Sequence, residues 1–406
     1  MPTPSLEPWP NLRWQEIENQ IFVDPSRYPP VDEEPDEDGA LDTIIGEDGG
    51  DEETEVGLSE VIINKSGKVQ DDKADMTAEK RVATDASNLE ESNISRFLDV
   101  VDDHDTYRTS VERLRDFFGD VSLAQLDADS NGIVESLRCQ TVLDDRNFTS
   151  GLYRDHSRPL TPRQVYEALK VKRFPQAMSP RVDRFPIKSQ AKSEAFNIER
   201  RTIFAANPDK WLAFALINTA SPSQAPVLFD FIDKYLDYKP SIGVDMKKRS
   251  RSRMNLFVHL PFSTLRHNQA SDHRRLASGK YLRRSVQIPR LNYPGASTTS
   301  ADSIGWIHET QISMHISIID PSCWTAYMFE DTFYKKGKEA ERFAESLQDT
   351  RDRFDALART VGSGPFDTSS TSDPIEYFLT FFDVQIERAY IAWANVVDEL
   401  EKTVKR

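Results

Sequence analysis

Cysteine is almost absent, with Cys139 and Cys323 the two thiols among 406 residues. So sparse a supply excludes a disulfide framework and points to a reducing compartment, with both thiols read as inert core residues. Long apolar runs are also missing. The longest, Trp211 to Ile217, has seven residues, whereas a membrane-crossing helix needs roughly 20, so no transmembrane segment is expected. The start, Met1-Pro2-Thr3-Pro4, lacks a basic stretch followed by an apolar one, so no secretory signal is expected. The triplets at Asn64, Asn93 and Asn147 then carry no weight as glycosylation acceptors. No Gly-x-Ser-x-Gly elbow, phosphate-binding loop or cysteine pair at zinc spacing occurs.

What the chain does have is a block of negative charge. Thirteen acidic residues and no Lys or Arg lie between Asp32 and Glu55, and setting them aside takes the formal charge from −16 to −3. Acidity is therefore local, and says little about the surface of a folded domain. Residues 1–86 combine this block with Pro, Gly, Ser and Lys and few periodic apolar positions. That composition predicts a disordered acidic tail. Within it, Trp9, Leu12, Trp14, Ile17, Ile21 and Phe22 outline a short amphipathic helix, suited either to docking on its own domain or to a partner's groove.

Globular patterning begins near residue 87. Tyr107, Val111, Leu114, Phe117 and Phe118 share a helical face that ends at Gly119. Two short apolar-bearing runs, 121–126 and 133–139, then flank Asp127-Ala128-Asp129-Ser130-Asn131-Gly132. Asp127, Asp129, Asn131 and Gly132 match positions of a calcium-binding loop, but Arg138 stands where the bidentate Glu belongs. A hairpin turning at Asn131-Gly132 is the stronger expectation. Thr161-Pro162-Arg163-Gln164 reads as a capping box. A strand at 202–205 is followed by two core helices, one starting at Asn207-Pro208 and one through Val227, Phe231 and Tyr235. Further strands are expected at 256–260, 307–319 and 324–333, and a helix over 337–361. The last element is a helix from Asp373 to Arg406, with Asp373 as cap and Glu376 completing a box. Its expected apolar stripe is Ile375, Phe378, Phe382, Ile386, Ala389, Trp393, Val396, Leu400 and Val404. The fold class that follows is α/β (α+β): a mixed sheet with packed helices in residues 87–334, then a stalk-like helical hairpin over 335–406.

Candidate chemistry is sparse. His308-Glu309 lacks the second His of a zinc-protease helix, since position 312 is Ile. His308 and His315 differ by an odd number of residues, so a regular strand sends them to opposite faces. The expectation is a non-enzymatic protein with no catalytic residue and no cofactor. Lys247-Lys248-Arg249-Ser250-Arg251-Ser252-Arg253 has no interleaved aromatics, so nucleic-acid binding is not expected. The cluster reads as a solvated loop, with a nuclear localisation signal as the alternative. Asp272-His273-Arg274-Arg275, with Gly279-Lys280 and Arg283-Arg284, reads as a structured polar hairpin.

A collinear series of segments carries a family likeness. It comprises Leu160-Thr161-Pro162-Arg163-Gln164-Val165-Tyr166, Arg173-Phe174-Pro175, Arg200-Arg201-Thr202-Ile203-Phe204 and Ala215-Leu216-Ile217-Asn218-Thr219-Ala220-Ser221. Ser241-Ile242-Gly243-Val244, Phe257-Val258-His259-Leu260-Pro261-Phe262, Asp272-His273-Arg274-Arg275 and Pro374-Ile375-Glu376-Tyr377-Phe378-Leu379 follow in order. Over residues 88–406 this series resembles a largely uncharacterised group of filamentous-fungal proteins linked to the CorA-like divalent-cation (magnesium) transporters. The resemblance implies an α/β cytosolic domain followed by a long stalk helix that, in transporters, leads into two membrane helices. Those helices and the Gly-Met-Asn pore signature have no counterpart here, so no pore residue is carried over and no metal ligand is assigned. What it implies is a cytoplasmic, regulatory or subunit-like domain with a protein partner or homo-oligomer through its C-terminal helices and a divalent cation as ligand. The alternative is an interaction protein, nuclear through Lys247 to Arg253, unrelated to ion transport.

Overall fold

The computed structural model describes residues 94–99, 104–126, 139–175, 197–246, 254–288, 305–348 and 373–405, apart from residues 149, 155, 157, 158, 268 and 321. All belong to one compact unit of the chain. The acidic tail 1–86, most of the 127–139 loop and its calcium-like ligands, the basic cluster 247–253 and residues 349–361 of the expected penultimate helix lie outside the described residues.

The elements are helix α1 (His104–Phe118), strands β1 (Gln140–Arg146) and β2 (Tyr153–Arg154), helix α2 (Pro162–Lys170), strand β3 (Arg200–Ala206), helices α3 (Lys210–Ile217) and α4 (Ala225–Asp237), strands β4 (Ser241–Met246), β5 (Met254–Arg266), β6 (Ser285–Gln287), β7 (Trp306–Asp320) and β8 (Cys323–Glu330), then helices α5 (Lys338–Gln348) and α6 (Pro374–Lys405). The eight strands form one mixed sheet in the order β2-β1-β3-β8-β7-β5-β4, with β6 added beside the start of β7. β3 and β8 run parallel and the other pairs antiparallel.

Alternation along the strands divides the core into two layers. One face carries Leu143, Ile203, Ala205, Tyr327 and Phe329 and is covered by α1, α3 and α4 through Leu114, Phe118, Phe214 and Phe231. The opposite face carries Leu256, Val258, Ile316, Trp324 and Met328 and is covered by α5 and α6 through Leu347, Tyr377, Phe378 and Phe381. Cys139 and Cys323 are buried, and burial, with Asp209 nearby, raises the Cys139 thiol well above its ordinary range.

Several sequence expectations change in detail. The run 121–126 contains a 3-10 turn, Leu123–Leu126, where a hairpin strand was expected. Asp209, not Asn207, caps α3, accepting from the Leu212 N–H at 2.8 Å. Asn207 instead takes a left-handed backbone (φ 49°) and accepts the Thr332 N–H at 2.7 Å, closing the end of β8. β8 stops at Glu330, short of the expected 333, because Asp331 is drawn into side-chain pairing. The Thr161 capping box forms as expected, with Gln164 answering the Thr161 N–H at 2.9 Å. Asp373 caps α6, accepting the Ile375 N–H at 2.8 Å.

Candidate functional site

The closing helix is docked by one side and open on another. Tyr377 meets the Trp324 ring at 5.0 Å between centroids. The buried Arg200 guanidinium lies against both rings, 5.3 Å from Tyr377 and 5.5 Å from Trp324. Further along, Arg388 donates to Glu330 at 2.8 Å. Phe381, Gln385 and Val396 are also buried. This docked stripe is rotated from the one expected. Of the nine positions named from sequence, Phe378 and Val396 are buried, while Ile375, Ile386, Trp393, Leu400 and Val404 are exposed.

Those five, with Leu379, Tyr390 and Val397, form a second apolar stripe in which every side chain is at least 40% exposed. At 3.6 residues per turn they fall within an arc of about 80°. Its direction follows from the docked contacts. Tyr377 and Arg388 reach β8 on one flank, and α6 lies along β5. The open stripe is on the other flank, the side on which β4 follows β5 in the sheet.

β4 presents its own apolar row there. Ile242, Val244 and Met246 are exposed, and their cross-strand partners are Val258, Leu256 and Met254. Opposite residues of an antiparallel pair share a face, and Leu256 and Val258 lie beneath α6, so the row stands on the α6-bearing face. On the other face Phe257 packs over Gly243, where an added Cβ would sit 2.6 Å from the ring tip.

Within the 272–284 segment Asp272, Arg274 and Arg283 turn inward, while Arg275, Lys280 and Arg284 stay exposed. Leu276 and Lys280, and Leu282 and Arg274, are joined by backbone bonds, forming the hairpin expected from sequence. Its purpose is visible in Asp331, which accepts from Arg283 Nε at 2.7 Å and the Gln311 N–H at 2.9 Å, pairs with Arg274 at 2.7 Å and receives the Tyr235 hydroxyl. Asp272 accepts the Arg274 Nε at 2.8 Å and shares Nη2 with Asp331, at 2.7 Å. Burial alone would raise the Asp331 carboxyl, but Arg283 and Arg274 outweigh it and leave it lowered. The Tyr235 hydroxyl is raised, first by burial. These groups bind the hairpin, α4 and the end of β8 together, so they act as structural anchors.

The histidines do not assemble into a site. His308 Nδ1 lies 2.8 Å from Ser285 Oγ and its ring stacks on Tyr334. His315 stacks instead on Phe257 and meets Phe231 edge-on. His259 Nδ1 lies 2.8 Å from Ser313 Oγ, buried below α4. Both Ser–His pairs include a fully buried imidazole. Among the described residues, no group of three or more His, Cys, Asp or Glu is placed to hold a metal ion. No described helix is long and apolar enough to cross a membrane.

Comparison with protein-family models, with curated proteins and with solved structures finds no match to this chain.

Proposed function

We propose that this chain is a non-enzymatic, regulatory or subunit-like domain, resembling the cytosolic part of CorA-like divalent-cation transporters, that works by association through its C-terminal helix. The supporting observation is the open flank of α6: eight large apolar side chains at helical spacing, each at least 40% exposed. A contiguous apolar strip of that length is a feature of interaction surfaces, whereas scattered exposed apolar residues are ordinary. The rest of α6 is fixed to the sheet by Tyr377, Phe381 and the Arg388–Glu330 pair, so the strip is presented on a rigid support. In this reading the domain is cytoplasmic and transport is not an activity of the chain alone.

The test is the size of the native assembly. Tagged full-length chain and its Trp393→Asp/Leu400→Asp variant are compared by gel filtration of fresh cell extract. The chain is expected in an assembly well above its 46.4 kDa, with the variant shifted to the monomer position and its circular dichroism unchanged. Identical elution of the two would overturn the reading.

A further inference from the structure

Among the described residues the sheet ends at β4, whose one charged residue is the exposed Asp245. Among the described residues β4 pairs only with β5, through an unbroken six-residue ladder. Natural edge strands are commonly blunted by Lys, Pro or a bulge. Between Ser241 and Met246 there is neither Lys nor Pro, and Ile242, Val244 and Met246 are 58, 60 and 69% exposed on one face.

We infer that a second copy of this chain covers this face, joined through antiparallel β4 strands about a two-fold axis at Val244. The inference rests on the association reading and names its partner. Self-matching of the strand favours a second copy over a foreign protein. Opposed residues of an antiparallel pair share a face, so an allowed register keeps odd with odd and even with even. With Val244 opposite itself, Ile242 of each copy faces Met246 of the other, and all three exposed apolar residues are matched at once. Such a contact is isologous and closes at two subunits, so it does not propagate into a fibre.

The layer above agrees with this arrangement. Strands about 4.8 Å apart put the two α6 helices, each lying along its β5, about 14 Å from one another and antiparallel. Helices with side chains have radii of about 5–6 Å, leaving a narrow channel between them. The paired rows of Ile242, Val244 and Met246 rise into that channel. A six-residue edge alone falls short of the about 800 Å² per partner of a standard interface. Leu379 and Ile386, on the flank of α6 toward β4, widen it.

The experiment uses the full chain carrying Val244→Cys under mild oxidation, with solution mass by light scattering. Opposed Cα atoms about 4.5–5.5 Å apart suit a disulfide, and the native cysteines are buried. Val244→Cys is expected to form a covalent dimer, Ile242→Cys alone to stay largely uncrosslinked, and the Ile242→Cys/Met246→Cys pair to crosslink again. Unmodified chain is expected at twice 46.4 kDa, and Val244→Lys at the monomer mass with unchanged circular dichroism. A monomeric unmodified chain, or Val244→Cys no more crosslinked than Ile242→Cys, overturns the inference. If Val244→Lys stays dimeric while Trp393→Asp/Leu400→Asp does not, the β4 arrangement fails and association through α6 stands.

Discussion

The Arg388 guanidinium donates to the Glu330 carboxylate at 2.8 Å, tying the middle of α6 to the last residue of β8. Burial alone would raise the Glu330 carboxyl, but Arg388 and then Lys335 outweigh it and bring it from 4.5 to about 2. A depressed folded-state value means that this contribution is fully present above about pH 4.5 and is lost as pH falls toward 2. Arg388→Ala should cost about 1.5–3 kcal/mol at neutral pH, since a charged hydrogen bond goes while Lys335 remains at 3.3 Å. Urea unfolding at pH 7 and pH 2.5 checks this, and the gap between wild type and variant should narrow at the lower pH.

Asp331 has a larger role because it neutralises two buried cations. Asp331→Asn removes the charge opposite Arg283 and half of that opposite Arg274, whose other partner, Asp272, remains. Breaking a buried pair in this way costs about 3–5 kcal/mol. Denaturant unfolding should show that loss, and a double-mutant cycle with Arg283→Met should recover part of it.

His259 should make the fold acid-sensitive well above the carboxylate range. Burial first, and then His315 and Lys234, lower its ring from 6.5 to about 3. The unfolded chain binds a proton at this site between those values while the folded chain does not, so stability falls as pH drops from 6.5 toward 3. The limit for one group is about 1.4 kcal/mol per pH unit. His259→Gln should flatten that slope between pH 4 and 6 in a urea-unfolding series.

Gly243 is required by its neighbour across the strand pair. An alanine Cβ would lie 2.6 Å from Phe257 Cζ, and the Lys234 ammonium, 3.7 Å from the centre of that ring, restricts where it can move. Gly243→Ala should destabilise by about 1–3 kcal/mol as an overpacked site. Adding Phe257→Leu should relieve most of that cost in thermal unfolding.

Much of the fold is legible along the chain because the signals are local. Thr161 and Gln164 cap as their spacing predicts, and the Ile312-Met314-Ile316-Ile318 alternation lies on the α6-bearing face of β7. α6 is equally visible as a helix, yet its docked face is not. Its sequence carries two overlapping apolar stripes, and the sheet selects the one that places Tyr377 on Trp324 and Arg388 on Glu330. That choice depends on residues about fifty positions away. β4 is missed because Ser241-Ile242-Gly243-Val244 is short and contains a glycine, which weakens a strand signal. The Asp331 anchor is hidden for a different reason: charged residues read as surface unless their partners are known, and its partners lie far off in sequence, Arg274 and Arg283 in the 272–284 hairpin and Tyr235 in α4. The hint in sequence is Glu330-Asp331 directly after the apolar run Trp324 to Phe329.

Coverage of the open α6 stripe in the cell is the central claim. Its most direct measurement is site-specific photo-crosslinking in living cells, with a photoreactive residue placed in turn at Trp393, Leu400, Glu387 and Asp398 of the full chain. Discrete crosslinked products at Trp393 and Leu400, and none at the polar positions Glu387 and Asp398 of the same helix, are the predicted result. Equal labelling at all four positions, or no product at Trp393 and Leu400, would contradict it.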